Sequence, residues 1–378
     1  MNVYSIMVIK EDNWFVFEGL HQIDTPALVI YPDRVVENIE RLKAMVSSPA
    51  LLRPHVKTNK SMNASKLMMQ SGISKFKCAT IAEAEMLGMC KAQDVLLAYQ
   101  PSIPKLVRLI KLIKNYPESI FSCLVDNVET ASIISISAQE NEIIIPVFID
   151  LNVGMNRTGI KPELAFDLFH DILSKPGIKF MGFHVYDGHI RDTELTERTI
   201  HCNNDFKAVE NLRQKVQDNG YPFPLLVAGG SPTFGLHSQR NNVECSPGTF
   251  IYWDKGYFDT IPEQDFLFAA IVVNRVVSLP DATKICIDLG YKSISSENDL
   301  QNRVYFLNAP HLKPFSHSEE HMVIEAGKDH GYKIGDIFYS LPIHICPTVA
   351  MYDQAYTVVN NSIHEKWPIT ARGREIKV

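Results

Sequence analysis

Lys57 lies in the run Arg53-Pro54-His55-Val56-Lys57-Thr58-Asn59-Lys60, after an apolar segment and before a helix-like one. A lysine at the mouth of a strand, held near other cations and partly desolvated, has a lowered pKa and an amine able to form a Schiff base with an aldehyde. Further along, Gly229-Gly230-Ser231-Pro232-Thr233 has the makings of a phosphate cradle. Two glycines let backbone N–H groups approach an anion, and two hydroxyls add donors. Ser246-Pro247-Gly248-Thr249, followed by Tyr252, offers a second small-residue turn. A Schiff-base lysine together with phosphate-type turns suggests a cofactor carrying both an aldehyde and a phosphate, pyridoxal 5′-phosphate.

The elements that must position these groups follow from periodicity. Short apolar runs at residues 27–31, 51–56, 75–79, 95–99, 121–125, 143–151, 180–186 and 225–228 alternate with helix signals. Continuous apolar runs are the pattern of parallel strands covered on both faces. Asp33 is placed to cap a helix bearing Val36, Ile39, Leu42 and Val46 on one face, and Thr80 with Glu83 has capping-box spacing. Eight strand-helix units in about 220 residues predict a TIM-type (β/α)8 barrel over residues 20–250, with an open doubly wound sheet as the alternative that periodicity does not separate. From residue 251 to 378 strand-like runs are divided by turns. With residues 1–19, including a run at 14–17, they predict a second, mostly β domain.

A barrel presents functional residues at the C-terminal strand ends. Lys57 follows the second run, and Tyr99-Gln100 ends the fourth. Arg157 lies in the loop after the sixth, His184, Tyr186, Asp187 and His189 at or after the seventh, and the Gly229–Thr233 turn after the eighth.

Composition bounds the function. There are 37 basic and 43 acidic residues, a net charge of −6, and no basic block, which argues against nucleic acid or an anionic membrane as a partner. Seven scattered cysteines with no C-x-x-C point to a reducing, cytoplasmic setting rather than a disulfide framework. Lys10, Glu11 and Asp12 interrupt the N-terminus before any signal-peptide core develops.

Arg-Pro-His-Val-Lys-Thr, Gly-Met-Asn-Arg-Thr-Gly, Tyr-Asp-Gly-His, Gly-Gly-Ser-Pro-Thr and Ser-Pro-Gly-Thr-Phe-Ile-Tyr, in that order, resemble the D-threonine aldolase and D-serine dehydratase group, relatives of alanine racemase. The resemblance implies that Lys57 carries pyridoxal phosphate. It also implies that Gly229, Gly230, Ser231, Thr233, Gly248, Thr249 and Tyr252 hold the phosphate, that Arg157 lies near the phenolic oxygen, and that His184 and Tyr186 flank the ring. Ile343-His344-Ile345-Cys346 is similar to the group's metal-binding His-x-Cys or His-x-Asp pair. In an extended strand such residues share a face, so His344 and Cys346 would hold one divalent ion, zinc ahead of manganese or magnesium on softness. Asn59 stands where the group usually has histidine.

The implied activity is that of a lyase on β-hydroxy D-amino acids. A D-threonine aldolase would cleave Cα–Cβ to glycine and an aldehyde, with His189 or metal-bound hydroxide as base. A D-serine or 3-hydroxy-D-aspartate dehydratase would use Lys57 to take the α-proton. Overall similarity, including Tyr99-Gln100-Pro101, favours the aldolase, whereas Cys346 leans toward the dehydratase. An amino-acid racemase or a non-catalytic cofactor carrier stays open behind these, and a homodimer is expected by resemblance.

Overall fold

The computed structural model describes residues 13–378 and divides into two compact units, residues 39–250 with 373–378, and residues 13–38 with 251–372. This departs from boundaries at 20 and 251, and the first strand explains why. Ala27–Ile30 (β1) lies in the second unit's sheet, antiparallel to Ala270–Ser278 (β9) with Leu28 opposite Val272, and parallel to a late strand at Val29 and Tyr356. An apolar run marks a buried strand but does not say which sheet buries it.

The first unit is a parallel sheet with helices between its strands. In order it contains Lys75–Cys78 (β2), Asp94–Leu97 (β3), Ile120–Val125 (β4), Ile145–Leu151 (β5), Ile178–Val185 (β6), Leu225–Ala228 (β7) and Val243–Cys245 (β8). Residues 52–56 close the barrel as an irregular eighth stave. Arg53 N–H donates to Cys245 O at 2.8 Å and His55 N–H to Pro247 O at 3.0 Å on one side. On the other, Val56 N–H donates to Lys77 O and Lys77 N–H to Pro54 O, both at 2.9 Å. Pro54 brings no donor of its own, so this stave is held by isolated bridges rather than a regular ladder. Closure rules out the open doubly wound sheet. With residues 27–31 in the other unit and the three-residue β8 unforeseen, each predicted rim position moves by one strand.

Leu96, Leu124, Phe148 and Val227, from four different strands, pack together in the barrel core. The helices start where local chemistry allows. Thr80 Oγ1 accepts from Glu83 N–H at 3.1 Å, and Asn127 Oδ1 accepts from Thr130 N–H at 2.8 Å.

A buried ion network is anchored on the closing stave. The Arg53 guanidinium, 1% exposed, donates to Glu244 Oε2 at 2.6 Å and to both Asp94 oxygens at 2.6 and 2.9 Å, and Lys75 also pairs with Glu244. Arg53→Ala leaves the buried Glu244 carboxylate short of its main partner, a change expected to cost about 3–5 kcal/mol. Urea unfolding at neutral pH measures it; a loss below about 1 kcal/mol would mean that the network does not brace the barrel.

The second unit is mostly antiparallel. Its sheet runs Lys313–His317 (β12), Met322–Glu325 (β13), Lys284–Ile287 (β10), β9, β1, Gln354–Val359 (β15) and Ser362–Pro368 (β16), while Ile337–Pro342 (β14) joins β9 to Val304–Phe306 (β11). Residues 14–17 are not a strand. They form a turn and a short extended stretch that put Phe15 and Phe17 against Tyr339, at ring centroids 5.0 and 6.2 Å apart. Residues 1–12, part of the predicted 1–19 contribution, lie outside the described residues. Among the described residues no helix is long and apolar enough to cross a membrane.

Candidate active site

Lys57 sits in the turn that ends the closing stave, exposed, while Thr58 and Asn59 beside it are buried. The desolvated lysine of this rim is another one. Lys77, on β2, is 2% exposed, and burial first, then the Lys57 charge, bring its pKa from 10.5 to about 7. The two amines lie 5.9 Å (Lys57) and 5.6 Å (Lys77) from the Tyr186 ring centroid, and the Arg157 guanidinium carbon is 5.1 Å from it. Three basic side chains therefore converge on one aromatic ring. Tyr186 in turn is fitted between glycines: a Cβ on Gly188 would lie 2.4 Å from its ring, and one on Gly230 3.1 Å.

Below it runs a polar chain. Thr158 Oγ1 donates to Asp150 Oδ2 at 2.8 Å, Asp150 Oδ1 is 2.7 Å from His184 Nδ1, and His184 Nε2 is 3.4 Å from Lys77 Nζ. Burial opposes the charge on Asp150, but the bonds from His184 and Thr158 outweigh it and keep the carboxyl below its usual range. Burial, then the Lys77 charge, hold His184 below its ordinary pKa. The consistent state is a neutral imidazole with its proton on Nδ1 and its Nε2 lone pair toward the Lys77 amine. Lys77 was missed because in Lys75-Phe76-Lys77-Cys78 its alternation matches a half-buried strand as well as a site.

The two predicted anion turns come together. Thr249 N–H donates to Ser231 Oγ at 3.4 Å, and Gly230 N–H to Thr233 Oγ1 at 3.4 Å. Gly229 has φ +75°, and a Cβ on Gly248 would fall 2.9 Å from His55 O, so the backbone approach depends on glycine at both. Thr233 Oγ1 donates to Asp187 Oδ1 at 2.8 Å, and Asp187 pairs with buried His237 at 2.8 Å. Ser246 Oγ is buried here without a hydrogen-bond partner, an orphan that a phosphate oxygen would satisfy. Tyr252, in the other unit, is also buried with its hydroxyl unpartnered.

Two further residues of this rim have defined partners. His189 has Nε2 2.7 Å from Asp205 Oδ2 and its ring 5.5 Å from that of His201; both partners are on the helix Leu195–Asp218. Its other nitrogen is buried. Asn59 is 1% exposed, and its Oδ1 accepts from Ser61 N–H at 3.0 Å, which fixes the turn before the helix Met62–Gln70. The residue in the usual histidine position thus does structural work here.

In the second unit His344 and Cys346 meet, though not on a strand. His344 is the N-cap of the short helix Ile345–Val349, and its side chain bonds to Cys346 across the first turn. Glu297 holds His344 Nδ1, and Asp254 Oδ2 accepts from Ile345 N–H at 3.1 Å. Burial raises the Asp254 carboxyl to about 6 despite these bonds. For His344 burial works the other way, but Cys346, Glu297 and Asp254 outweigh it and raise the imidazole to about 9. A carboxylate on one ring nitrogen and a thiol beside the ring are chemically compatible with a histidine that would ligate a divalent ion through its other nitrogen.

Residues 30–255 match the family described as "Alanine racemase, N-terminal domain", and residues 269–358 match "Putative serine dehydratase domain". The chain is 24% identical over 366 residues to the 3-hydroxy-D-aspartate aldolase of Paracoccus denitrificans (strain Pd 1222), covering 93% of each. It is 22% identical over 391 residues to the D-threo-3-hydroxyaspartate dehydratase of Delftia sp. (strain HT23), covering 93% of this chain and 98% of that one. The crystal structure of D-threonine aldolase from Filomicrobium marinum has the same fold, with TM-score 0.86 at 24% identity over 94% of this chain and 97% of that one.

Proposed function

This chain belongs to the alanine racemase N-terminal domain family, and on that premise we propose that it is a pyridoxal-phosphate- and divalent-metal-dependent lyase that cleaves β-hydroxy D-amino acids as a D-threonine aldolase does. The observation that carries the reading is the His344–Cys346 pair braced by Glu297. A racemase needs an acid or base on each face of its cofactor and has no use for a metal-type donor pair.

Pyridoxal phosphate supplies, when bound, an aldehyde for an amine and a ring that accepts the electrons of a bond broken at Cα. Lys57 is the exposed amine that would carry it. The turns 229–233 and 246–249 would hold its phosphate through backbone N–H groups and the Ser231, Thr233, Ser246 and Thr249 hydroxyls. We place Arg157 at the phenolic oxygen and His184 against the ring. Asp150 keeps His184 in one tautomer, so this imidazole faces Lys77 with a lone pair and has no proton to release there. A divalent ion supplies a Lewis acid that makes a β-hydroxyl easier to deprotonate or expel, and His344 and Cys346 are the side chains that would bind it. Removing the hydroxyl proton leads to the aldolase. In the dehydratase, Lys57 takes the α-proton. Cys346 is the observation that favours this second reading, because a thiolate selects a softer ion. We further propose a homodimer in a reducing, cytoplasmic compartment, in keeping with seven free cysteines.

Incubation of cofactor-loaded protein with D-threonine tests the proposal. Glycine with acetaldehyde is the expected outcome; 2-oxobutanoate would establish the dehydratase, and the L-epimer a racemase. His344→Ala should remove about 10²-fold or more of this activity together with the bound ion. Unchanged metal content in that variant would reject the metal role.

A further inference from the structure

We propose a second divalent-cation site in the first unit, formed by His189, His201 and Asp205 with Asp192 behind them, which takes a transition ion of the zinc class. It goes beyond the lyase reading and does not depend on it. His201 and Asp205 are four residues apart on the helix Leu195–Asp218, so their side chains rise from one face one turn apart. His189 comes from the loop after β6, two residues past Asp187. The ligand-capable atoms of the three lie within 4.8 Å of one another. Asp205 Oδ2 is 2.7 Å from His189 Nε2 and 3.5 Å from His201 Nε2. A tetrahedral ion with bonds of about 2.0–2.2 Å asks for ligand separations of about 3.3–3.6 Å, which the His201–Asp205 spacing meets and the His189–Asp205 spacing reaches by opening less than about 1 Å.

The outer contact is the more telling one. His201 Nδ1 is 2.8 Å from Asp192 Oδ2. With its hydrogen on Nδ1, donated to Asp192, His201 turns a lone pair toward the Asp205 oxygen, which carries lone pairs of its own. Without an ion, His189 Nε2–H donates to that oxygen, and the His201 Nε2 lone pair faces it from 3.5 Å with no hydrogen between them. A divalent cation replaces that hydrogen, takes a lone pair from each ring and a carboxylate oxygen, and leaves Asp192 as the outer-shell acceptor that fixes the His201 tautomer. Gly154 keeps the flank clear, because a Cβ there would lie 2.5 Å from His189 Nε2. Three protein ligands leave a fourth position for water. The ion would pin the segment carrying Tyr186 and Asp187 to the long helix, and its uptake would release protons and weaken as pH falls.

The probe is cobalt(II), added to the full cofactor-loaded chain carrying His344→Ala and Cys346→Ala so that the other donor pair is gone. One ion per chain is expected to stay bound, with d–d bands in the difference spectrum and no thiolate-to-cobalt charge-transfer band, since this site contains no sulfur. His201→Gln in that background should abolish the bands. Asp192→Asn, which leaves the three ligands in place, should weaken binding about 10–100-fold without unfolding the chain. No bound cobalt in the double variant, or binding unmoved by both substitutions, overturns the site. Absence of the thiolate band in wild-type protein would instead count against His344 and Cys346 alone, so the two readings fail separately.

Discussion

Lys57→Ala is expected to lower turnover about 10³–10⁴-fold and to eliminate the covalent adduct that borohydride traps in the loaded protein. Stability should change by no more than about 0.5 kcal/mol, because Lys57 is exposed in a turn and the buried neighbours Thr58 and Asn59 keep their contacts. The phosphate turns are untouched, so the variant should still bind the cofactor reversibly. Peptide mapping after reduction gives the decisive result. Lys77 lies a similar distance from the Tyr186 ring and, with its pKa lowered to about 7 by burial and the Lys57 charge, has a sizeable neutral fraction near neutral pH. If the reduced label maps to Lys77, or if Lys57→Ala still yields it, the attachment point moves from the turn to β2 and the reading of this rim changes.

Much of this rim was legible before any coordinates. The run 53–60, the Gly229–Thr233 turn and the 246–249 turn carry their chemistry in short local sequence, and the barrel assembles them as neighbours. What the sequence hid was non-local. Residues 27–31 read as a barrel strand, but their pairing partners lie some 240 and 325 positions away, in β9 and β15, and no local period reports that. The closing stave was legible as the apolar run 51–56, and Pro54, which has no N–H to donate, is why it pairs through isolated bridges rather than a regular ladder. His344 and Cys346 were paired for the wrong geometric reason. A strand would align them by alternation, whereas here a helix N-terminus turns one onto the other. The His201 and Asp205 spacing was present all along as an i, i+4 pair, but its significance depends on where the β6 loop delivers His189.

Lys77→Met is expected to make the protein more stable at low pH and less active, and the sign follows from linkage. The unfolded chain holds this proton up to pH 10.5, while in the fold burial, helped by the Lys57 charge, releases it near 7. Between those values the unfolded state binds more protons, so stability rises with pH. The contribution is fully present above 10.5 and is lost as pH falls through about 7. The gap of 10.5 − 7 = 3.5 units, at about 1.4 kcal/mol each, sets a ceiling of about 5 kcal/mol on the total change across that window. Methionine keeps the length and drops the amine, which removes the slope. Urea unfolding of cofactor-free protein, compared as variant minus wild type, should therefore favour the variant increasingly from pH 10 to pH 6. Subtracting the two cancels groups common to both, such as His237, which its pairing with Asp187 raises to about 9 against the effect of burial. The cost falls on catalysis. His184 loses the donor at Nε2, the ring is no longer fixed from that side, and a shift of about 1 Å is enough to lower turnover about 10²-fold. The natural chain thus keeps a buried amine that weakens the fold where the site needs it, the usual direction of the trade between stability and activity. A variant whose stability advantage did not grow as pH fell would show that burial does not lower this amine's pKa inside the barrel, and the polar chain from Lys77 through His184 to Asp150 would lose its basis.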